Sequence, residues 1–260
     1  MKIKEITEFI NNGVTVGEQT CDTYKIGNEE NEVKKVAVTM FATVDNIRKM
    51  KDWGADFVIV HEPTFYDHFD TKFSEDVVAK EKYKLLEEAG ITLYRWHDHP
   101  HCDKPDRIFE GEINYLGLKG ESKPTNWGGS TVLTLDEPMT ASEIVKIIED
   151  KLNVRNLRVA GELNKKATKL ACCFGTPGGV FDLLRDPEIE IVLTGETIEW
   201  MLCEYARDAA ALGRNKSLIV MGHIGSERDG MRLLAEKLSK QFPSIETKYF
   251  ECGEAYNYIR

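Results

Sequence analysis

The feature that most constrains the fold is an order of strands and helices that occurs twice along the chain. In the first half, a strand that begins near Val36 is followed by a helix and by an apolar strand that leads to His61. In the second half, a strand that begins near Leu170 leads to a strand that ends at Gly195, and both pairs of positions are 25 residues apart. Strands that alternate with helices form sheets covered by helices. The sequence therefore predicts an α/β fold of two pseudo-repeated lobes.

A stretch rich in turn-forming residues, with three glycines, a proline and an asparagine, lies at residues 119–129 and separates the two halves. Clusters of such turn-forming residues mark loops between elements. We therefore place lobe I at residues 1–118 and lobe II at residues 130–260. The last predicted strand, at residues 245–252, could pack back on lobe I.

Three of the six histidines follow a predicted strand of lobe I, and they are His97, His99 and His101. Asp98 and Asp103 add carboxylates to the same segment. Imidazole nitrogen and carboxylate oxygen are the usual donors to Zn, Mn, Fe and Ni, and ligand sites of α/β folds lie at the ends of strands. The segment therefore predicts a metal site in a loop that follows this strand.

Two further strand ends carry the same residue types. His61 and Glu62 directly follow a buried strand of lobe I, where adjacent donors can bind two neighbouring ions. His223 follows a strand of lobe II, and Glu227 comes four residues later, near a helix start where an acidic residue also favours the helix dipole. Because the places correspond between the lobes, we interpret these residues as metal ligands. If the two lobes face each other, the ligands converge on the cleft between them.

Other residues near these strand ends have less specific patterns. Glu196 and Asp98 are candidates to orient the ligands or to act as a catalytic base. His68 has the pattern of a surface residue or of a mobile acid–base group. The glycine-rich loop at residues 175–179 could bind an anion at a helix start, or it could form a plain tight turn.

The composition argues against several classes of function. The chain has 34 basic and 44 acidic residues, and its net charge of −10 argues against a nucleic-acid partner. No apolar run reaches the length of about 18 residues that a membrane span needs, and the N-terminal residues lack the apolar core of a signal peptide. We therefore expect a cytoplasmic protein without a membrane partner. The six cysteines form no C-x-x-C pair, and we expect them to be reduced.

The chain resembles the dinuclear-metal, ring-forming proteins related to Ngg1-interacting factor, which are often named type 2 homologues of GTP cyclohydrolase I. The resemblance extends over residues 36–251 and is carried by four motifs: His61-Glu62, His97 to His101, Thr194-Gly195-Glu196 and Gly222-His223-x-x-x-Glu227. It implies two facing α/β lobes, a pair of divalent ions between them, and assembly into a hexameric ring.

Two motifs depart from the family pattern. The family commonly has His-His at the first strand end, where this chain has His followed by Glu62, and it has His-Thr-x-x-Asp where this chain has His97 to His101. One change replaces a histidine with a carboxylate and the other does the reverse, so the total of four histidines and two carboxylates is kept. An alternative alignment, shifted by two residues, uses His99 and Asp103 instead.

These observations predict a metal-dependent hydrolase of unknown substrate. Two divalent ions, of Zn, Mn, Fe or Ni, would generate a hydroxide and polarise a carbonyl or phosphoryl group of a small molecule. The expected metal ligands are His61, Glu62, His97, His101, His223 and Glu227. The alternative function is that of a non-catalytic metal-binding protein, either a metal chaperone or store or a regulatory scaffold. The expected partner is the chain itself, in a homo-oligomer that the resemblance implies to be a hexamer.

Overall fold

The structure of the protein is a computed structural model that describes residues 1–71, 73–126, 129–176, 178–257 and 259. In chain order, its helices are α1 (Ile3–Asn11), α2 (Val44–Trp53), α3 (Val77–Glu88), α4 (Asp98–Cys102), α5 (Arg107–Leu116), α6 (Ala141–Leu152), α7 (Val180–Arg185), α8 (Glu204–Ala211) and α9 (His223–Gln241). Its strands are β1 (Tyr24–Ile26), β2 (Lys35–Thr39), β3 (Phe57–Val60), β4 (Thr92–Arg95), β5 (Gly120–Pro124), β6 (Thr131–Met139), β7 (Arg158–Gly161), β8 (Ala167–Cys173), β9 (Ile191–Thr194), β10 (Ser217–Val220) and β11 (Glu246–Tyr249).

The chain divides into two compact units, each with its own sheet and hydrophobic core. Unit 1 consists of residues 1–103 and 231–260, and unit 2 consists of residues 104–230. The predicted boundary at residues 119–129 differs from this division, because β5 pairs with β6 and because Phe109 and Leu116 of α5 belong to the same core as Leu133 of β6. Trp127 and Gly128 of that stretch lie outside the described residues.

Unit 1 is built on a five-stranded sheet in the order β1-β4-β3-β2-β11. Strands β2, β3, β4 and β11 are parallel, and β1 is antiparallel to β4. Every residue of β3 and β4 is buried, as expected for strands covered on both faces. Because β3 and β4 are parallel neighbours, the residues that follow them lie at one edge of the sheet.

Unit 2 repeats this design in a six-stranded sheet in the order β5-β6-β8-β9-β10-β7. Strands β8, β9 and β10 are parallel, and the other strands pair antiparallel. Helix α5 approaches the start of α9 closely, since a Cβ atom on Gly111 would lie only 2.4 Å from the Cα atom of Gly230. The predicted α/β fold with a pseudo-repeat is confirmed: β2, β3 and β4 correspond to β8, β9 and β10.

In the described part of the chain, no helix has both the length and the apolar character that a membrane span requires.

Candidate metal centre

Three histidines come together in unit 1 at the carboxyl ends of β3 and β4. The ring centre of His61 is 4.7 Å from that of His97 and 5.1 Å from that of His101, and the ring centres of His97 and His101 are 5.0 Å apart. The Nε2 atoms of His61 and His101 are separated by 3.2 Å. Two imidazoles that bind one ion at about 2.1 Å have their nitrogens roughly 3.0–3.4 Å apart. The three side chains thus have the spacing of ligands that share an ion.

His97 and His101 share a face because the segment is a short helix, and the predicted loop is wrong. Helix α4 begins directly after His97, and residues four apart lie on one side of a helix. The buried carboxylate of Asp22 stabilises its start by accepting the backbone N–H groups of His97 (2.7 Å), Asp98 (2.8 Å) and His99 (2.9 Å). These groups have no partner within the helix, so Asp22 supplies what the local sequence lacks.

The other histidine of this segment faces away from the set. The Nδ1 atom of His99 donates to the Asp22 carboxylate at 2.7 Å, which already accepts the backbone of α4. Among the described residues, no group of converging metal donors includes His99 or Asp103. The geometry therefore favours His97 and His101 over the alternative alignment.

Two histidines of this set, His61 and His97, are oriented by hydrogen bonds at one ring nitrogen. The Nδ1 atom of His61 donates to the carbonyl oxygen of Trp96 at 2.9 Å, and that of His97 donates to Asp98 at 3.0 Å. Such bonds fix the tautomer and direct Nε2 toward a metal. Burial lowers the pKa of His61 well below its usual value of 6.5, and the nearby His97 adds to this effect. The imidazole of His61 is therefore neutral, as a metal ligand must be.

Cys21 lies against the carboxylate of Asp98. Its Sγ atom is 3.4 Å from Asp98 Oδ1, and Cys21, His97 and Asp98 form a second group of converging donors. Burial raises the pKa of the Cys21 thiol to about 12. In this structure the thiol of Cys21 hydrogen-bonds to Asp98, the carboxylate that orients His97.

Arg95, a buried charge inside β4, organises the neighbouring strand end. Its Nε atom donates to the carbonyl oxygen of His61 at 3.0 Å, and its Nη1 atom donates to that of His68. Its Nη2 atom is 3.8 Å from Glu62 Oε2, while Glu62 Oε1 is 4.0 Å from His61 Nε2. The carboxylate of Glu62 thus lies beside the histidine set. Arg95 was not among the predicted site residues, although a charged residue at the end of an apolar strand is a signal that the sequence contains.

Unit 2 repeats this arrangement at the ends of β9 and β10. His223 is the first residue of α9, and Glu227 lies one turn later in the same helix. The Nε2 atom of His223 is 3.2 Å from Glu227 Oε2, and its Nδ1 atom donates to Glu196 at 2.7 Å. Glu196 therefore orients His223 as Asp98 orients His97, which is one of the two roles that the sequence predicted for them.

The first residue of the glycine-rich loop at 175–179 packs against this pair. Gly175 has a φ of +69°, and a Cβ atom there would lie 2.4 Å from Glu227 Oε1. Its backbone N–H donates to Ser226 Oγ at 3.0 Å. Gly175 is thus required for the close approach of Glu227. Pro177 lies outside the described residues, and the predicted anion site with it.

Glu112 of α5 is a buried carboxyl group that the sequence analysis missed. Its Oε1 atom accepts the backbone N–H of Asp229 at 2.8 Å. Burial raises the pKa of Glu112 well above its usual value of 4.5, and the neighbouring Asp229 adds to the shift. A group whose pKa is raised on folding contributes stability that is present below its unfolded pKa and is lost as the pH rises.

We therefore expect Glu112→Gln to gain stability relative to the native chain as the pH rises. The free energy of unfolding of the variant minus that of the native chain should be larger at pH 8 than at pH 4.5. The amide cannot ionise, and its oxygen can still accept the Asp229 N–H. Thermal unfolding measures the effect, at about 2–4 °C for each kcal/mol in a protein of this size. The matched control is Glu149→Gln, which replaces an exposed carboxylate on α6. Its difference in thermal stability from the native chain should be the same at both pH values. A constant difference for Glu112→Gln as well would contradict a protonated Glu112.

Comparison with known proteins places this geometry in a family. Several curated relatives carry the name GTP cyclohydrolase 1 type 2 homolog, and two of them illustrate the match. The one from Clostridium perfringens is 25% identical over 224 residues, which cover 84% of this chain and 83% of the relative. The one from Pyrococcus horikoshii is 25% identical over 227 residues, which cover 85% of each chain.

Solved structures share the fold. A Bacillus cereus protein related to NIF3 superimposes with a TM-score of 0.79 at 13% identity, over 100% of this chain and 99% of its own. A Staphylococcus aureus protein superimposes with a TM-score of 0.76 at 18% identity, with the same coverage. The sequence model of the family Duf34/NIF3 (NGG1p interacting factor 3) matches residues 1–254. The chain therefore belongs to the DUF34/NIF3 family.

Proposed function

We propose that this protein binds two divalent metal ions through the donors of both units and uses them to hydrolyse a small molecule. One observation carries the proposal: each unit holds two metal-donor atoms 3.2 Å apart. In unit 1 they belong to His61, which follows β3, and to His101 of α4. In unit 2 they belong to His223 and Glu227, which are four residues apart in α9. The proposed ligands are His61, Glu62, His97, His101, His223 and Glu227.

The chemistry of the donors supports a borderline divalent metal. Imidazole nitrogen and carboxylate oxygen together suit Zn, Mn, Fe and Ni. The hydrogen bonds of His97 to Asp98 and of His223 to Glu196 support ligation, because outer carboxylates that hold a histidine raise its affinity for metal. A bound divalent ion would supply a hydroxide at neutral pH and would polarise a phosphoryl or carbonyl oxygen.

The substrate class is proposed from this chemistry and from the relatives' name. That name makes GTP the first compound to test, although a fold does not fix the reaction that a protein performs. A metal-activated hydroxide attacks phosphate esters, anhydrides and activated carbonyl groups alike. A panel of model substrates therefore tests the proposal more broadly than one nucleotide.

The experiment measures hydrolysis of GTP, p-nitrophenyl phosphate, bis(p-nitrophenyl) phosphate and p-nitrophenyl acetate by metal-loaded protein. We expect metal-dependent turnover of at least one compound, and a decrease of roughly a hundredfold or more in His223→Ala. The control is Glu199→Gln, which changes an exposed carboxylate that pairs with Arg158 and should retain the rate. Bound metal without turnover of any compound would contradict the hydrolase and support the non-catalytic metal-binding protein.

The homohexameric ring and the cytoplasmic location belong to the same proposal. Both follow from the family resemblance and the composition of the chain.

A further inference from the structure

His68 lies next to the histidine set, at a place where the family pattern has no ligand. It belongs to the loop between β3 and α3, and its side chain is exposed. Its ring centre is 6.2 Å from that of His97, with the ring planes perpendicular. Within the described part of the chain, neither ring nitrogen of His68 has a hydrogen-bond partner. The imidazole is thus available to a ligand that the protein does not itself provide.

The backbone of His68 is fixed relative to the metal ligands by Arg95. One buried guanidinium donates to the carbonyl oxygens of both His61 and His68. The Cα atom of His68 therefore cannot drift away from the strand end that carries His61, and only its side chain is free to rotate.

Buried charges hold the rest of this loop. Asp70 Oδ1 accepts the backbone N–H of Phe65 at 2.6 Å, and Lys25 Nζ donates to the carbonyl oxygen of Phe69 at 3.1 Å. The side chains of Lys25 and Asp70 are 4% and 0% exposed, and they lie 3.8 Å apart. Burying such groups is costly unless they are paired, so the loop conformation is strongly specified.

The same loop contains backbone strain. Tyr66 and Asp70 have φ angles of +71° and +58°, in the left-handed region that costs a residue other than glycine about 1 kcal/mol or more. Residues in such conformations persist where their surroundings over-determine them, and they cluster at functional sites. Here the strained and anchored segment presents three exposed rings: Tyr66, His68 and Phe69.

We propose that His68 is a fourth imidazole ligand of the ion held by His61, His97 and His101. The inference rests on the proposed function, since it requires an ion at this set. Co-ligand imidazoles have ring centres roughly 5 Å apart when the metal–nitrogen distance is about 2.1 Å, so the 6.2 Å separation from His97 must shorten. Rotation of the exposed side chain about its fixed backbone achieves this without repacking of the core.

A fourth imidazole would change which metal unit 1 prefers. Nitrogen-rich sites suit Zn, Ni and Co, whereas Mn favours oxygen ligands. His61, His97 and His101 are the nitrogen donors of unit 1, and His68 would add a fourth from the loop that follows β3.

The test uses Co²⁺ as a spectroscopic probe of the full-length protein. We expect His68→Ala to lower the Co²⁺ affinity by about tenfold or more, and to change the visible absorption that reports ligand number. Added imidazole should restore the absorption, because it can enter the space that the side chain leaves. Tyr66→Phe, in the same loop, is the matched control and should behave as the native chain does.

Two results would overturn the inference, and they are distinguishable. Native protein that binds no Co²⁺ would contradict the proposed function and the inference with it. Native protein that binds Co²⁺, with an unchanged affinity and spectrum in His68→Ala, would contradict the role of His68 alone.

Discussion

Replacement of His101 by alanine is expected to lower the affinity of unit 1 for its ion by about a hundredfold or more, because a direct ligand contributes more than the 10- to 100-fold of an outer residue. His101 Nε2 faces His61 Nε2 at 3.2 Å, and alanine leaves that position without a donor. Competition with a chromophoric chelator measures the change.

The matched control for this experiment is His99→Ala. His99 is two residues away on the same short helix, but its ring is bonded to Asp22. We expect its loss to leave the affinity within about threefold of the native value. If His99→Ala abolished binding while His101→Ala retained it, the alternative alignment with His99 and Asp103 would be correct.

The second large effect is expected at Asp22. Its buried carboxylate accepts three backbone N–H groups of α4 and the imidazole of His99. Hydrogen bonds to a charged group contribute about 1.5–3 kcal/mol each and are not additive, so Asp22→Ala should lower the free energy of unfolding by about 3–5 kcal/mol. It should also weaken metal binding, because His97 and His101 depend on α4 for their shared face.

Chemical denaturation and the chelator titration together test this prediction. Asp22→Asn keeps one oxygen acceptor and should give an intermediate loss. Asp45→Asn, an exposed acid in the first turn of α2, should change the free energy of unfolding by about 0.5 kcal/mol or less. If Asp22→Ala were as stable as Asp45→Asn, the carboxylate would not be what holds α4 in place.

The sequence predicted the regular elements well where their signals are local. Helix α6 (Ala141–Leu152) begins at a local signal, because Thr140 and Glu143 form a capping box. The bounds of α2 follow in the same way from Thr43, whose side chain accepts the N–H of Asn46, and from Gly54, whose φ is 82°. These signals lie within a few residues of the element, so a single sequence contains them.

Elements that depend on distant contacts escaped prediction. The composition of β5 is that of a turn, and all its residues are exposed, so its pairing with β6 is what makes it a strand. Helix α4 has Pro100 in its middle and no capping side chain of its own. Its cap is Asp22, which is 75 residues away from His97 in the sequence.

The residues of the candidate site also differ in whether their signals are local or depend on distant contacts. The candidate metal ligands could be predicted from local signals. His61, His97 and His223 follow apolar strands, and His101 and Glu227 lie four residues after one of these histidines. The partners of Arg95 and Asp22 could not be predicted, because a sequence does not show which backbone groups a buried charge will contact. His68 was left open between a surface residue and a functional one, and its position beside His97 depends on the fold of a long loop.

The number of metal ions per chain tests the central claim most directly. Untagged protein would be incubated with Zn²⁺, Mn²⁺ or Fe²⁺, freed of unbound ions and analysed for its metal content. We predict about two ions per chain for the native protein, as a two-metal site requires, and a loss of about one ion in both His101→Ala and His223→Ala. Native protein that retains none of the three metals would contradict the account.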